Sequence, residues 1–232
     1  MTRPLLLGHR GARASPNIPE NTLASFELCL QHGCDGFEFD VRRSADGRAV
    51  VCHDPVVRGI EIAKTPAQNL GLPTLEEVLR QFASRAFLDI ELKVGGLERE
   101  TAALLRQHPP QQGHVVSSFL PEVLAAVHDL DASVPLGLLC ETRNQLAMER
   151  RAPSPVPSGV APLSPTEKPV AWVITRFDLV DRDLVEHVHA EGRQIMVWTV
   201  NRAEQMRDLA EWGVDAIISD ETELAAQVFP AV

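Results

Sequence analysis

Short apolar runs alternate with longer amphipathic stretches along the whole chain. Runs of this length, rich in Val, Ile, Leu and Phe, predict buried strands. They cover residues 5–9, 36–41, 49–53, 86–92, 114–117, 135–139, 171–174, 194–198 and 215–219. The amphipathic stretches have helical spacing and predict helices over residues 23–32, 75–82, 97–107, 121–130, 141–150, 182–191, 203–212 and 222–228.

Local signals agree with several of these boundaries. Thr74, followed three residues later by Glu77, is a capping-box pattern, and Gly33 and Gly192 come just after two predicted helices. Eight helices alternating with about eight parallel strands favour an α/β fold, a single-domain (β/α)8 TIM barrel over residues 1–232. A doubly wound open sheet is the structural alternative, since the periodicity of apolar residues does not distinguish a barrel from an open sheet.

The six prolines of residues 152–169 predict a surface loop on the face away from the active site.

Composition limits the classes of partner. The chain has 232 residues, 22 basic and 32 acidic, and a formal charge of −10, which argues against general affinity for nucleic acid or an anionic membrane. A phosphate substrate is still possible, because a local cation can dominate a cleft. No apolar run approaches the length of a membrane span, and the four cysteines form no C-x-x-C pair. These features predict a cytoplasmic protein with free thiols.

Two predicted strands carry carboxylates on one face. Glu38 and Asp40 are two residues apart and point the same way, and so do Asp89, Glu91 and Lys93. On the inner face of a barrel such carboxylates would repel one another unless a proton or a cation lay between them. Oxygen ligands of this kind suit Mg²⁺ or Ca²⁺. A solvated edge strand and a surface ion pair between Glu91 and Lys93 are the alternatives.

Two histidines close apolar runs at positions that face the catalytic rim of a barrel, His9 and His53. A single histidine there is more often structural. Two imidazoles together suit general acid and general base catalysis, since their ordinary pKa is about 6.5. Arg10 and Lys93 would neutralise charge on a phosphoryl group. The set predicts metal-assisted phosphoryl chemistry.

Several motifs occur in a specific order along nearly the whole chain. They are His9-Arg10-Gly11, Pro19-Glu20-Asn21-Thr22, Gly36-Phe37-Glu38-Phe39-Asp40-Val41, Val51-Cys52-His53-Asp54, Pro73-Thr74-Leu75-Glu76-Glu77, Ile90-Glu91-Leu92-Lys93, Ser117-Ser118-Phe119 and Val197-Trp198-Thr199-Val200-Asn201. In these motifs and their spacing the chain resembles the glycerophosphodiester phosphodiesterase family.

The resemblance implies a (β/α)8 barrel with its site at the carboxyl ends of the strands. It places the family's catalytic histidines on His9 and His53, its metal ligands on Glu38, Asp40 and Glu91, and its phosphate contacts on Arg10 and Lys93. The implied cofactor is one divalent cation, Mg²⁺ or Ca²⁺, and the sequence does not choose between them. The implied reaction splits a glycerophosphodiester into sn-glycerol 3-phosphate and an alcohol, by attack of the glycerol 2-hydroxyl on phosphorus. Which histidine is acid and which is base does not follow from the sequence.

Other matching positions allow two interpretations. Glu20 and Asn21 could line the site, but they are expected to support the loop and the start of the following helix. Phe119 and Trp198 could form a wall for the substrate or belong to the core. Asp220 is expected to cap the last helix.

One departure concerns the cap that family members commonly carry. Residues 55–72 replace it here, so the cap is expected to be short or absent and the pocket more open.

A lysophospholipase D-type activity, release of a cyclic phosphate, or a non-catalytic phosphate-binding role are the functional alternatives. A metal-dependent lyase on another barrel would leave the two histidines without a role.

Overall fold

The computed structural model describes residues 3–149 and 170–230, with the backbone alone at residues 147–149. The strands in this part of the chain are β1 (Leu5–His9), β2 (Gly36–Arg43), β3 (Ala49–Val51), β4 (Val56–Val57), β5 (Ile60–Glu61), β6 (Phe87–Leu92), β7 (His114–Ser118), β8 (Leu136–Cys140), β9 (Trp172–Arg176), β10 (Gln194–Trp198) and β11 (Ala216–Ser219). The helices are α1 (Leu23–Gln31), α2 (Leu75–Phe82), α3 (Glu98–Gln107), α4 (Pro121–Leu130), α5 (Arg143–Glu149), α6 (Arg182–Ala190), α7 (Ala203–Trp212) and α8 (Thr222–Val228).

Eight of the strands form a closed parallel barrel. Going round it, the order is β1, β2, β6, β7, β8, β9, β10 and β11, and β1 pairs with both β2 and β11. Every pairing in this ring is parallel. The predicted (β/α)8 barrel is therefore confirmed, and the open sheet is excluded because the ring has no free edge.

The third predicted strand, residues 49–53, does not belong to the barrel. Strand β2 extends two residues beyond its predicted end at Val41, so that it overhangs the rim, and β3 folds back on it as an antiparallel partner. The return brings Cys52 beside Asp40, whose carbonyl accepts the Cys52 N–H at 2.9 Å. His53 thus reaches the carboxyl end of the barrel from a hairpin and not from a barrel strand.

A cluster of phenylalanines between the barrel and its helices fixes the orientation of β2. Phe37 and Phe39 point outward and are fully buried, and Phe37 stacks on Phe26 of α1 with ring centroids 4.2 Å apart. Because side chains alternate along a strand, burial of these rings turns Glu38 and Asp40 into the barrel. A second apolar cluster, which includes Leu7, fills the barrel interior beneath them.

Residues 55–72 form a small structure in place of a large cap. It consists of the β4–β5 hairpin and two 3₁₀ turns, Ile62–Lys64 and Ala67–Asn69. Ile62 packs with Val50 and Cys52 in a small cluster of its own. The predicted proline-rich loop, residues 152–169, lies outside the described residues. Among the helices that are described, none is both long and apolar enough to cross a membrane.

Candidate active site

A pocket of about 280 Å³ opens at the carboxyl ends of the barrel strands. It is lined by His9, Arg10, Glu38, His53, Asp89, Glu91, Lys93, Ser117, Phe119, Leu139, Glu141, Trp198 and Ile218. Eight of the nine predicted site residues line it. The ninth, Asp40, is buried beside the pocket with 1% of its surface exposed. The structure therefore brings together groups that are more than 180 residues apart in the sequence.

Three carboxylates form a cluster in this pocket, from Glu38, Asp40 and Glu91. One oxygen of each lies within 4.8 Å of the others. The strand register explains their meeting, because Asp40 of β2 stands directly opposite Glu91 of β6 and Glu38 stands opposite Asp89. Asp89 is a fourth carboxylate, fully buried, which accepts a hydrogen bond from Ser117 Oγ at 2.5 Å.

Burial raises the pKa of three of these carboxyl groups, those of Glu38, Asp89 and Glu91. Burial and the charge of Asp40 raise the pKa of Glu38 well above its ordinary value, and the same two causes raise the pKa of Glu91 to about 7. Burial raises the pKa of Asp89 to about 7 in spite of the Ser117 hydrogen bond. Glu38 Oε1 is buried without a hydrogen-bond partner among the described residues. The cluster is short of positive charge.

Two cationic side chains supply part of that charge. Lys93 Nζ lies 2.7 Å from Glu91 Oε1 and 3.4 Å from Asp40 Oδ1, and Arg10 Nε lies 3.3 Å from Asp40 Oδ2. Burial lowers the pKa of Lys93, but Glu91 and Asp40 raise it more, so the ammonium group stays protonated. When all four buried carboxyl groups are ionised, these two cations balance only two of the four negative charges, and a doubly charged cation would balance the other two. The donor set therefore fits a divalent cation with oxygen ligands.

The turn after β1 directs a main-chain N–H group toward the acidic cluster. Arg10 has a left-handed backbone with φ of 54°, and its N–H donates to Glu38 Oε2 at 3.0 Å. Gly11 follows with φ of 81°, and a Cβ there would fall 2.4 Å from Ser25 Oγ. A left-handed arginine is uncommon, and such strained residues gather at functional sites.

Glu20 and Asn21 contact charged residues of the site. Glu20 accepts a hydrogen bond from Arg10 at 2.7 Å and pairs with Arg13. The Asn21 side chain donates to Asp40 Oδ2 at 2.9 Å and accepts the Asp40 N–H at 3.3 Å. Asn21 therefore fixes the orientation of a carboxylate in the acidic cluster.

His9 is held by Asp220, which sequence reasoning assigned wrongly to a helix cap. The N-cap of α8 is Glu221, whereas Asp220 Oδ1 lies 2.7 Å from His9 Nδ1. Burial would raise the pKa of Asp220, but hydrogen bonds from His9 and Asn201 bring it well below its usual range. The ionised carboxylate can only accept, so His9 Nδ1 carries a hydrogen and Nε2 faces Glu38, 4.0 Å from its Oε2.

His53 has a similar but more exposed partner. Its Nδ1 lies 2.8 Å from Asp54 Oδ1, and Arg42 Nε donates to the His53 carbonyl at 2.6 Å. The hydrogen bond from His53 lowers the pKa of Asp54. Both histidines thus contact an aspartate through Nδ1, and both line the pocket. This is the arrangement needed for proton transfer at Nε2.

Phe119 and Trp198 are both core residues and pocket walls. Their rings meet edge to face with centroids 6.1 Å apart, and they pack on the apolar interior of the barrel. Trp198 Nε1 is buried, and no described residue accepts its hydrogen bond. Glu141, which directly follows β8, lines the same pocket and was not among the predicted site residues.

This fold and this site define a (β/α)8-barrel enzyme whose pocket combines two aspartate-held histidines with an acidic cluster and two cations. Residues 9–79 and 60–224 match the family described as the glycerophosphoryl diester phosphodiesterase family. The chain therefore belongs to that family, and it is an enzyme that hydrolyses glycerophosphodiesters.

Individual relatives agree with this assignment. The chain is 28% identical to a glycerophosphodiester phosphodiesterase of Caldanaerobacter subterraneus subsp. tengcongensis, over 95% of this chain and 96% of the relative. A Bacillus subtilis glycerophosphodiester phosphodiesterase is 26% identical over 97% of this chain and 86% of its own. Among solved structures, an Oleispira antarctica phosphodiesterase in complex with the product sn-glycerol-3-phosphate is 27% identical. It has a TM-score of 0.79 and covers 99% of this chain and 98% of its own.

Proposed function

We propose that this enzyme hydrolyses its substrate in the barrel pocket, with His9 and His53 as general acid and base, to yield sn-glycerol 3-phosphate and an alcohol. The observation that carries the proposal is that both aspartate-held histidines, the acidic cluster and two cationic side chains meet at one pocket. The Oleispira structure, which holds sn-glycerol-3-phosphate, supports the identity of the product. A phosphate-binding module would need no pair of aspartate-held histidines, so the geometry favours catalysis over mere binding.

Glu38, Asp40 and Glu91 would hold a divalent cation, Mg²⁺ or Ca²⁺. Each offers a carboxylate oxygen, and the three oxygens are close enough to share one ion. When bound, the cation would supply positive charge that stabilises the phosphoryl oxygens as negative charge grows on them. Asn21 would fix the ligand geometry through its two contacts with Asp40.

Arg10 and Lys93 would hold the substrate phosphate. Both side chains line the pocket. The ion pair of Arg10 with Asp40 and that of Lys93 with Glu91 fix the positions of the two cationic groups. Their positive charges would orient the phosphorus toward the histidines and stabilise the developing charge.

The histidines would move the protons of the reaction. One Nε2 takes the proton of the glycerol 2-hydroxyl as its oxygen bonds to phosphorus, and the other gives a proton to the alcohol oxygen as its bond to phosphorus breaks. Water then opens the cyclic phosphate, with the same two nitrogens giving and taking the protons in the reverse sense. Asp220 and Asp54 would keep each ring in the tautomer that presents Nε2.

The direct test is release of glycerol 3-phosphate from glycerophosphocholine, glycerophosphoethanolamine and a lysophospholipid, each with EDTA, Mg²⁺ or Ca²⁺. Release from the water-soluble diesters that EDTA stops would support the proposal and name the ion. Release from the lysophospholipid alone would favour the lysophospholipase D alternative, which the small cap structure of residues 55–72 would allow. A cyclic phosphate as the final product would show that water does not complete the second step.

Two wider expectations stay predictions from the sequence. One is a single catalytic domain over residues 1–232, and the other is a cytoplasmic location.

A further inference from the structure

Arg13 lies in the segment that joins two sequence motifs of the site. Residues 12–18 separate His9-Arg10-Gly11 from Pro19-Glu20-Asn21-Thr22, so Arg13 belongs to neither motif. The proposed mechanism gives this segment no role.

Main-chain hydrogen bonds fix the backbone on both sides of Arg13. The Ala12 N–H donates to the Ser25 carbonyl of α1 at 3.1 Å. The Ala14 N–H donates to the Asp220 carbonyl, just after β11, at 3.3 Å. The segment therefore joins the start of α1 to the loop that carries the partner of His9.

The guanidinium group of Arg13 holds two carboxylates at once. Its Nε donates to Glu20 Oε2 at 2.6 Å, and its Nη1 donates to Asp220 Oδ1 at 3.2 Å. An arginine can do this because its donors stand in a rigid planar fork, whereas the single ammonium of a lysine cannot reproduce that geometry. Arg13 thus connects two acidic side chains that are 200 residues apart in the sequence.

Each of these carboxylates in turn holds a group of the active site. Asp220 Oδ1 lies 2.7 Å from His9 Nδ1, and Glu20 Oε1 accepts a hydrogen bond from Arg10 Nη1 at 2.7 Å. Burial would raise the pKa of Glu20, but its hydrogen bonds with Arg10 and Arg13 bring it below the ordinary value, so the group is ionised. The result is one continuous chain of contacts, His9–Asp220–Arg13–Glu20–Arg10.

Removal of Arg13 would leave both carboxylates with fewer donors. Asp220 would keep Asn201 on its other oxygen, at 2.7 Å, and Glu20 would keep Arg10 on one oxygen. Either carboxylate could then shift, and the group that it holds would shift with it. Displacement of a reacting group by about 1 Å can slow a reaction by as much as roughly 10²-fold.

We propose that Arg13 is a positioning residue of the reaction, which acts on His9 through Asp220 and on the phosphate-binding Arg10 through Glu20. This inference rests on the proposed function. The first arm should affect proton transfer and therefore kcat, and the second should affect how tightly the phosphate is bound.

The test measures the two arms separately. The first readout is kcat for release of glycerol 3-phosphate from glycerophosphocholine, and the second is the Kd of sn-glycerol 3-phosphate in calorimetric titration, both in the same cation buffer. The variants are Arg13→Met, which keeps an apolar stem, and Arg13→Lys, which keeps the charge. Arg207→Met is the matched control, since Arg207 is an exposed arginine of α7 outside the pocket.

The expected effects are those of a partly exposed ion pair, because the Arg13 side chain is 40% exposed. Arg13→Met should lower kcat about fivefold and weaken binding of sn-glycerol 3-phosphate about threefold. Arg13→Lys should recover part of each loss, because the charge is kept while the fork is lost. Arg207→Met should match wild type in both measurements.

Double variants show through which carboxylate each effect passes. In Asp220→Asn, adding Arg13→Met should change kcat by less than about twofold, while the loss of product binding persists. In Glu20→Gln, adding Arg13→Met should change the product Kd by less than about twofold, while the loss of kcat persists.

Two results would overturn the role of Arg13 and leave the proposed function intact. One is an Arg13→Met variant with wild-type kcat and wild-type affinity for sn-glycerol 3-phosphate. The other is a full effect of Arg13→Met on both quantities in both double variants. Failure of the wild type to release glycerol 3-phosphate would overturn the proposed function, and this inference with it.

Discussion

The buried carboxylates predict an unusual pH dependence of stability in the protein stripped of divalent cations. Below the ordinary carboxyl pKa, both the folded and the unfolded chain are protonated at Glu91. Between about pH 4.5 and pH 7 the unfolded chain ionises while the folded chain keeps the proton, because burial and Asp40 raise the pKa of Glu91 to about 7. Folding then requires proton uptake, so stability falls as the pH rises through this range.

The magnitude follows from the size of the shift. A carboxyl whose pKa rises from 4.5 to about 7 on folding lowers the free energy of unfolding by roughly 3 kcal/mol once the pH exceeds both values. For a chain of this length that corresponds to a fall in Tm of about 6–12 °C. Asp89, whose pKa is also raised to about 7, acts in the same direction.

The assay is thermal unfolding by circular dichroism between pH 5 and pH 8, in EDTA and in excess Mg²⁺ or Ca²⁺. A cation binds the ionised carboxylates and competes with their protons, so its stabilising effect should be larger at pH 8 than at pH 5. Glu91→Gln should reduce both the fall in EDTA and the effect of the cation, whereas the exposed Glu211→Gln should change neither. This reasoning would be refuted if the Tm in EDTA did not fall between pH 5 and pH 8. It would also be refuted if the cation raised the Tm equally at pH 5 and at pH 8.

Three further predictions concern single contacts. Asp220→Asn should lower kcat by about 10²–10⁴-fold with little change in KM, because His9 loses its tautomer control; steady-state kinetics would detect this, and a loss under tenfold would contradict it. Asn21→Ala should weaken cation binding by roughly 10–100-fold in calorimetric titration, since Asp40 loses its amide partner, and an unchanged affinity would remove Asn21 from the site. Phe26→Ala should cost about 3–5 kcal/mol in urea unfolding, because the ring is fully buried against Phe37; a cost below ~1 kcal/mol would be inconsistent with that packing.

The sequence predicted the barrel well because each unit carries its own local signals. Helix α2 begins and ends where predicted, since Thr74 and Glu77 form the expected capping box. Strand β1 also has its predicted bounds. The segment around β3 could not be predicted in the same way, because its antiparallel pairing depends on how far β2 extends beyond the barrel.

The site was predictable where a motif lies on one strand and unpredictable where a contact joins distant strands. Alternation along β2 and β6 placed Glu38, Asp40 and Glu91 on inner faces, and the register brought them together. The contact between His9 and Asp220 spans 211 residues, and local pattern made Asp220 look like a helix cap. Glu141 has no motif around it, and its place at the pocket mouth emerges only from barrel closure.

The measurement that tests the central claim most directly compares turnover with cation binding in His53→Ala. His53 lies outside the acidic cluster, so the variant should bind Mg²⁺ or Ca²⁺ with near wild-type affinity in calorimetric titration. Its release of glycerol 3-phosphate should fall by about 10²–10⁴-fold, because a proton-transfer group is lost. His128→Ala, on α4 outside the pocket, should match wild type in both measurements. Glycerol 3-phosphate release at the wild-type rate by His53→Ala would contradict the assignment of His53 as a catalytic acid or base.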